Sequence, residues 1–131
     1  MTTKVLATGK THNVSGKDGS AKSADGWLDT RLTDPHPAAE NLFGAAWSAC
    51  FMGALQVAAS QQKITLPGTP SIDAEVDLNL GDEGFFLSAR LKVSVPGLER
   101  SVAQFLVEAA DQICPYSKAT RGNIDVVVTL V

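Results

Sequence analysis

Residues 41–62 read NLFGAAWSACFMGALQVAASQQ and carry no charged side chain over 22 positions. As a helix, this segment is long enough to span a bilayer. Its many small and polar residues nevertheless favour a core helix of a soluble protein, and no Lys/Arg cluster precedes it to set a membrane topology. Gly53 costs such a helix about 1 kcal/mol relative to alanine, which tertiary packing has to offset. We therefore predict a central helix over residues 38–63, buried on all sides, and no membrane partner.

Three short strands are predicted before this helix: residues 4–14, 20–23 and 27–32. Turn sequences separate them, GKDG at 16–19 and Asp-Gly at 25–26. The sequence DPHP at 34–37 ends the third strand, because proline cannot donate to a β-ladder, and Pro37 suits the first turn of a helix.

After the helix, residues 72–80 alternate apolar with mainly acidic side chains, and residues 87–95 alternate apolar with basic and serine side chains. Each pattern predicts a strand with one buried face, and opposite charges pair across the hairpin. Residues 102–113 have helical spacing and end before Pro115, and residues 124–131 form the last strand. With the strands in antiparallel groups, this is an α+β fold of order β-β-β-α-β-β-α-β.

Composition limits the function classes. The 131 residues fit a single domain over 1–131, with 44% hydrophobic residues and a net charge of −3. No basic run points to nucleic acid. Residues 1–10 lack the apolar core of a signal peptide, and two cysteines do not make a secreted disulfide scaffold. We expect a cytoplasmic protein.

The two cysteines are the main candidates for chemistry. Cys50 lies midway along the predicted central helix and Cys114 at the end of the second helix, so no local spacing pairs them. The residues alone leave open whether they are buried structural thiols or a redox pair. Zinc needs four ligands at characteristic spacings, whereas His12, His36 and the cysteines are scattered singly, so we predict no metal site.

The sequence around each cysteine resembles a family signature. Residues 39–51, AENLFGAAWSACF, resemble the surroundings of the reactive cysteine in the organic hydroperoxide resistance proteins, the Ohr branch of the OsmC/Ohr family. Residues 114–126, CPYSKATRGNIDV, closely resemble the second signature of that branch. The turns at 16–19 and 23–26 and the segment PGLER at 96–100 are also similar, so the resemblance covers essentially the whole chain.

The resemblance implies a thiol-dependent peroxidase for organic hydroperoxides, with no bound cofactor. It makes Cys50 the peroxidatic cysteine, which becomes a sulfenic acid, and Cys114 the resolving cysteine of a Cys50–Cys114 disulfide. It also implies an intertwined homodimer, recycled by a dihydrolipoamide-type dithiol on a lipoylated partner protein. An OsmC-branch peroxidase and a non-catalytic domain that binds an apolar ligand are the alternatives.

The thiolate is the nucleophile, and an ordinary thiol is only a few per cent ionised at pH 7. Cys50 lies about twelve residues inside its helix, beyond the effect of the N-terminal dipole, so a nearby cation is required. Cys114 ends a helix, where the dipole disfavours a thiolate, and this asymmetry favours Cys50 as the attacker and Cys114 as the resolver independently of the resemblance. By resemblance, Glu40 orients the cation and Lys17 stands at the position of the family's arginine. Lysine cannot hold a carboxylate bidentately while it donates to the sulfur. Either Lys17 supplies the positive charge less well than an arginine, or an arginine from elsewhere in the chain replaces it, the candidates being Arg31 and Arg121.

Glu40 and Cys50 are ten residues apart, about 15 Å along a straight helix and on different faces. Either the helix begins after Glu40, which folds back, or Glu40 acts on Cys50 of the partner subunit. We favour the second arrangement, a homodimer with composite sites. The connection at 33–37 is shorter than the family's Gly-rich stretch, which affects the placement of Glu40.

Four aromatic residues are predicted either to line a pocket for an apolar alkyl peroxide or to form ordinary core: Phe43, Trp47, Phe51 and Tyr116. The uncharged surroundings of Cys50 disfavour hydrogen peroxide, because an apolar pocket does not compensate the desolvation of a polar substrate.

Overall fold

The computed structural model describes residues 2–32 and 38–131, and the chain divides into two compact units, Met1–Ala39 and Glu40–Val131. The elements are β1 (Thr11–Val14), β2 (Ser20–Ser23), β3 (Asp29–Arg31), α1 (Ala38–Gln61), β4 (Ser71–Gly81), β5 (Gly84–Ser94), α2 (Arg100–Ile113), α3 (Pro115–Thr120) and β6 (Asp125–Leu130). The α+β fold and the predicted order are confirmed, with α3 as a short additional helix. A single domain over residues 1–131 stays a prediction.

The N-terminal unit is a three-stranded antiparallel sheet in the order β1-β2-β3. β1 begins at Thr11 rather than at residue 4. Its partner β2 is only four residues long, so it offers ladder positions to four residues of β1. Asp25 closes the second turn, where its carboxylate accepts hydrogen bonds from the Ser23 hydroxyl and the Trp27 backbone. These bonds lower the pKa of Asp25. The predicted breaker at residues 34–37 lies outside the described residues.

The second unit contains a sheet of order β4-β5-β6. β4 and β5 form an antiparallel hairpin, and Gly84 leaves its turn with a positive φ of 109°, which glycine accommodates without strain. The predicted charge pairing is confirmed: Arg90 contacts Asp77 at 2.7 Å and Glu75 at 3.3 Å. The hydrogen bonds from Arg90 lower the pKa of Asp77.

β6 lies parallel to β5, with Leu91 opposite Val128, so the expectation of purely antiparallel groups is wrong for the last strand. The reason is the connection: α2 and α3 lie between β5 and β6, and such a helical crossover returns the chain in the same direction.

α1 packs with one face against the core. The buried positions follow helical spacing and are Glu40, Gly44, Trp47, Ser48, Phe51, Ala54, Leu55, Ala58 and Ala59. Gly44 allows close packing on β4, since a Cβ there would lie 3.5 Å from the Cβ of Ala74. The opposite face is exposed at Asn41, Ala45, Ala49, Gly53, Gln56 and Val57. The prediction of burial on all sides is therefore wrong for a single chain, although the apolar face does form core.

By length and composition, α1 is also the one helix among the described residues that could cross a bilayer. Trp47, Phe51 and Leu55 are each 0% exposed within the chain itself. Burying each of these side chains contributes roughly 1.5–3 kcal/mol. This packing is the reason for the apolar composition of the helix.

Candidate active site

The structure brings the two cysteines together, although they are 64 residues apart in sequence. The Sγ atoms of Cys50 and Cys114 lie 3.5 Å apart in a hydrogen-bonding contact, and both thiols are free. Cys50 is partly exposed, whereas Cys114 is 0% exposed. One sulfur is therefore accessible to a small molecule, and the other is accessible only to its neighbour.

The local fold at Cys114 sets this contact. Cys114 both ends α2 and precedes α3, with an extended backbone at φ −62° and ψ 118°. Pro115 cannot extend α2, as predicted, but it also occupies the first turn of α3, where its fixed φ is favourable. At this break between the two helices, the sulfur of Cys114 contacts Cys50 of α1.

A second polar contact joins the same elements. The indole Nε1 of Trp47 donates a hydrogen bond of 3.0 Å to the hydroxyl oxygen of Ser117, and both residues are buried. The ring of Phe43 packs edge-on against Trp47, with centroids 5.7 Å apart. Sequence reasoning did not find Ser117, because its partner lies 70 residues away and no local pattern links the two.

The surroundings of Cys50 within the chain favour its neutral form. Burial raises the pKa of the Cys50 thiol first, and the hydrogen bond with Cys114 raises it further. The backbone N–H of Tyr116 opposes this change, because its hydrogen bond stabilises the thiolate. No cation within residues 2–32 and 38–131 is among the groups that shift this pKa. A thiolate at neutral pH therefore requires a positive charge that the contacts of Cys50 in the single chain do not supply.

The three predicted cations stand in different places. Arg121 donates from Nη2 to the backbone oxygen of Asp111 at 2.8 Å and to its carboxylate at 3.3 Å, so it is engaged at the end of α2. Lys17 lies in the turn between β1 and β2, and Arg31 lies in β3, both in the N-terminal unit. The assignment of Lys17 as the cation of Cys50 stays a prediction.

Glu40 lies inside the first turn of α1 and is 8% exposed. Because α1 already includes Ala38, the arrangement in which the helix begins after Glu40 is wrong. Within one chain, Glu40 is thus about 15 Å along the helix from Cys50. The shortened connection at 33–37 lies outside the described residues.

The four predicted pocket residues separate into two groups. Trp47 and Phe51 are 0% exposed and belong to the core, and Trp47 also lines a cavity beside Ser117. Contact of either residue with a substrate stays a prediction. Phe43 is partly buried, and Tyr116 is 45% exposed next to Cys114 in sequence. That Phe43 and Tyr116 contact a substrate stays a prediction.

Within the described part of the chain, no three His, Cys, Asp or Glu side chains cluster in a way that could hold a metal ion. His12 lies in β1, and His36 falls outside the described residues. The chemistry that the site offers by itself is that of two adjacent thiols.

Comparisons with known proteins show which family this chain and fold resemble. The model of the OsmC-like protein family matches residues 32–129. An organic hydroperoxide resistance protein of Xanthomonas axonopodis pv. citri is 42% identical over 97% of this chain and 96% of its own length. The crystal structure of the organic hydroperoxide resistance protein OhrB of Bacillus subtilis is similar with a TM-score of 0.84 and 39% identity, covering 97% of this chain and 100% of that one. A resistance protein from Elizabethkingia anophelis gives a TM-score of 0.84 at 36% identity, over 98% of both chains.

Proposed function

Because this chain belongs to the OsmC-like protein family, and within it to the organic hydroperoxide resistance branch, we propose that it is a thiol-dependent peroxidase that reduces organic hydroperoxides to alcohols. The comparisons support the coarser function, resistance to organic hydroperoxides. The observation that carries the finer one is the 3.5 Å contact between an accessible thiol, Cys50, and a buried thiol, Cys114. This pair suits a two-step reduction better than an inert binding domain.

In the first step, the Cys50 thiolate attacks the terminal peroxide oxygen. A sulfur–oxygen bond forms, the O–O bond breaks, and the alkoxide leaves and takes up a proton as the alcohol. Cys50 is oxidised to a sulfenic acid while the peroxide is reduced. The partial exposure of Cys50 allows this approach, and the N–H of Tyr116 stabilises the negative charge on the attacking sulfur.

In the second step, the Cys114 thiolate attacks the sulfenic sulfur of Cys50. The S–S bond forms, the S–O bond breaks, and hydroxide leaves and is protonated to water. We infer that a dithiol of the dihydrolipoamide type, carried on a lipoylated protein, reduces the disulfide. Cys50 is the sulfur that it attacks, since Cys114 is 0% exposed. Such chemistry fits the cytoplasm, where thiols are kept reduced.

We assign the missing cation to Lys17. Arg121 is already bound to Asp111, which leaves Lys17 and Arg31 in the N-terminal unit as the candidates. Of these two, Lys17 occupies the turn that corresponds to the family's arginine. A lysine near the sulfur would oppose the pKa increase that burial imposes on Cys50.

A homodimer with composite sites explains the position of Glu40. Glu40 cannot reach Cys50 of its own chain, so we propose that it orients the cation beside Cys50 of the partner subunit. Two features support a dimer. The outward face of α1 is uncharged and exposed, and in the N-terminal unit Trp27 is 91% and Leu6 87% exposed. Covering these apolar surfaces is favourable in proportion to the area buried.

The test is to mix the reduced protein with one equivalent of cumene hydroperoxide and to count free thiols and cumyl alcohol. We expect both thiols of each chain to disappear with one alcohol formed, and a slower reaction with hydrogen peroxide. Cys50→Ser is the matched control, and it should retain the thiol of Cys114. If the wild-type protein retains both thiols, the chain is instead a non-catalytic domain for an apolar ligand.

A further inference from the structure

Two contacts connect α1 with the segment that begins at Cys114. Trp47 precedes Cys50 by three residues in α1, and Ser117 follows Cys114 by three residues. The Sγ–Sγ contact of 3.5 Å and the indole–hydroxyl contact of 3.0 Å are therefore separated by about one helical turn. Trp47 comes before Cys50 in α1, but its partner Ser117 comes after Cys114. The two segments therefore run antiparallel here. Each contact restrains the register of the other.

We propose that the hydrogen bond between Trp47 and Ser117 positions Cys114 against Cys50 for disulfide formation. Trp47 and Ser117 are positioning residues, because their hydrogen bond lies one turn away from the reacting sulfurs. The inference rests on the proposed function, since it concerns the second step of that reaction.

This contact is well suited to fix a register. Trp47 is 0% exposed and Ser117 3% exposed, so both partners are almost entirely removed from bulk solvent. An indole N–H left unpaired in the core loses its hydrogen bond without compensation. Moving α3 by one residue along its axis displaces Ser117 by about 1.5 Å, which is enough to break the 3.0 Å contact. The segment that carries Cys114 is thereby held in one position.

The two chemical steps depend on this position to different extents. Cys114 is not a reactant when Cys50 attacks the peroxide. The thiol of Cys114 and the N–H of Tyr116 affect that step only through the pKa of Cys50, and they act in opposite directions. The attack of Cys114 on the sulfenic acid requires the two sulfurs to be aligned, and a misplacement of about 1 Å can slow such a reaction about 100-fold. Loss of the hydrogen bond should therefore slow the second step selectively.

The experiment is a single-turnover reaction of Ser117→Ala with cumene hydroperoxide, in which sulfenic acid is trapped with a dimedone probe and disulfide is followed by thiol loss. We expect sulfenic acid to form at close to the wild-type rate, because the effects of Cys114 and of the Tyr116 N–H on the pKa of Cys50 oppose each other, and the disulfide to form at least about tenfold more slowly. Ser117→Thr, which keeps the hydroxyl, should restore disulfide formation. Trp47→Phe, which keeps a ring in the core and removes the N–H, should slow disulfide formation as well.

Thr120→Ala is the matched structural control. The Thr120 hydroxyl bonds to the backbone oxygens of Tyr116 and Ser117, so its removal weakens α3 without touching the contact to α1. The proposal is overturned if Thr120→Ala slows disulfide formation as much as Ser117→Ala does. It is also overturned if Ser117→Ala forms the disulfide at the wild-type rate, or if both steps slow equally. A wild-type protein that forms no disulfide would instead refute the proposed function.

Discussion

Oxidation of the cysteine pair should make the protein measurably more stable. A bond between Cys50 and Cys114 would close a loop across their separation of 64 residues. The loop-closure model gives a stabilisation of about 4 kcal/mol for a loop of this length, because the crosslink restricts the unfolded chain. The sulfurs are already in contact at 3.5 Å, so bond formation requires a shift of only about 1.5 Å in the folded state.

The assay is urea unfolding of the reduced protein and of the protein oxidised with one equivalent of cumene hydroperoxide, at the same protein concentration. The free energy of unfolding should be about 4 kcal/mol higher after oxidation and should return to the reduced value after treatment with a dithiol. Cys114→Ser, treated identically, should show no such gain, because its Cys50 has no partner within the chain.

Two results would refute the reasoning. One is a gain in the free energy of unfolding below about 1 kcal/mol in protein that has lost both thiols. The loop-closure model gives a larger stabilisation for a disulfide that spans 64 residues. The other is a disulfide-linked dimer on a non-reducing gel, which would mean that Cys50 and Cys114 react between chains.

Three further predictions concern charged residues. Lys17→Arg should speed thiol oxidation and lower the pKa of Cys50 in a pH–rate profile, and Lys17→Ala should do the reverse. If the profiles of both variants are the same as that of the wild-type protein, the role belongs to Arg31. Asp77→Asn should lower the free energy of unfolding at neutral pH. The difference should be complete above pH 3.8, the unfolded value, and should be lost as the pH falls from there through the lowered folded-state pKa. A difference that persists at still lower pH would contradict the role of its arginine partner. Inactive Glu40→Ala chains mixed with inactive Cys50→Ser chains should recover peroxidase activity if Glu40 acts across the subunit interface, and a protein that is monomeric at the assay concentration would rule this out.

Local patterns were sufficient for most of the fold. Strict alternation in residues 72–80 and 87–95 determined the β4–β5 hairpin and its charge pairing, because a period of two exposes one face of a strand. The same information was insufficient for β6, since its parallel pairing depends on where the α2–α3 connection returns the chain. α3 had a local signal in Pro115, a residue that starts a helix as well as ending one.

The sequence by itself was sufficient to predict which residues carry the chemistry, because the signatures around Cys50 and Cys114 are contiguous and can be recognised without coordinates. Only the tertiary structure decided how these residues meet. The 3.5 Å approach of the sulfurs and the bond from Trp47 to Ser117 join positions 64 and 70 residues apart, and no local interaction energy specifies such a distance. They arise from packing the buried face of α1 against the junction of α2 and α3 at Cys114, which is a property of the whole core rather than of either segment.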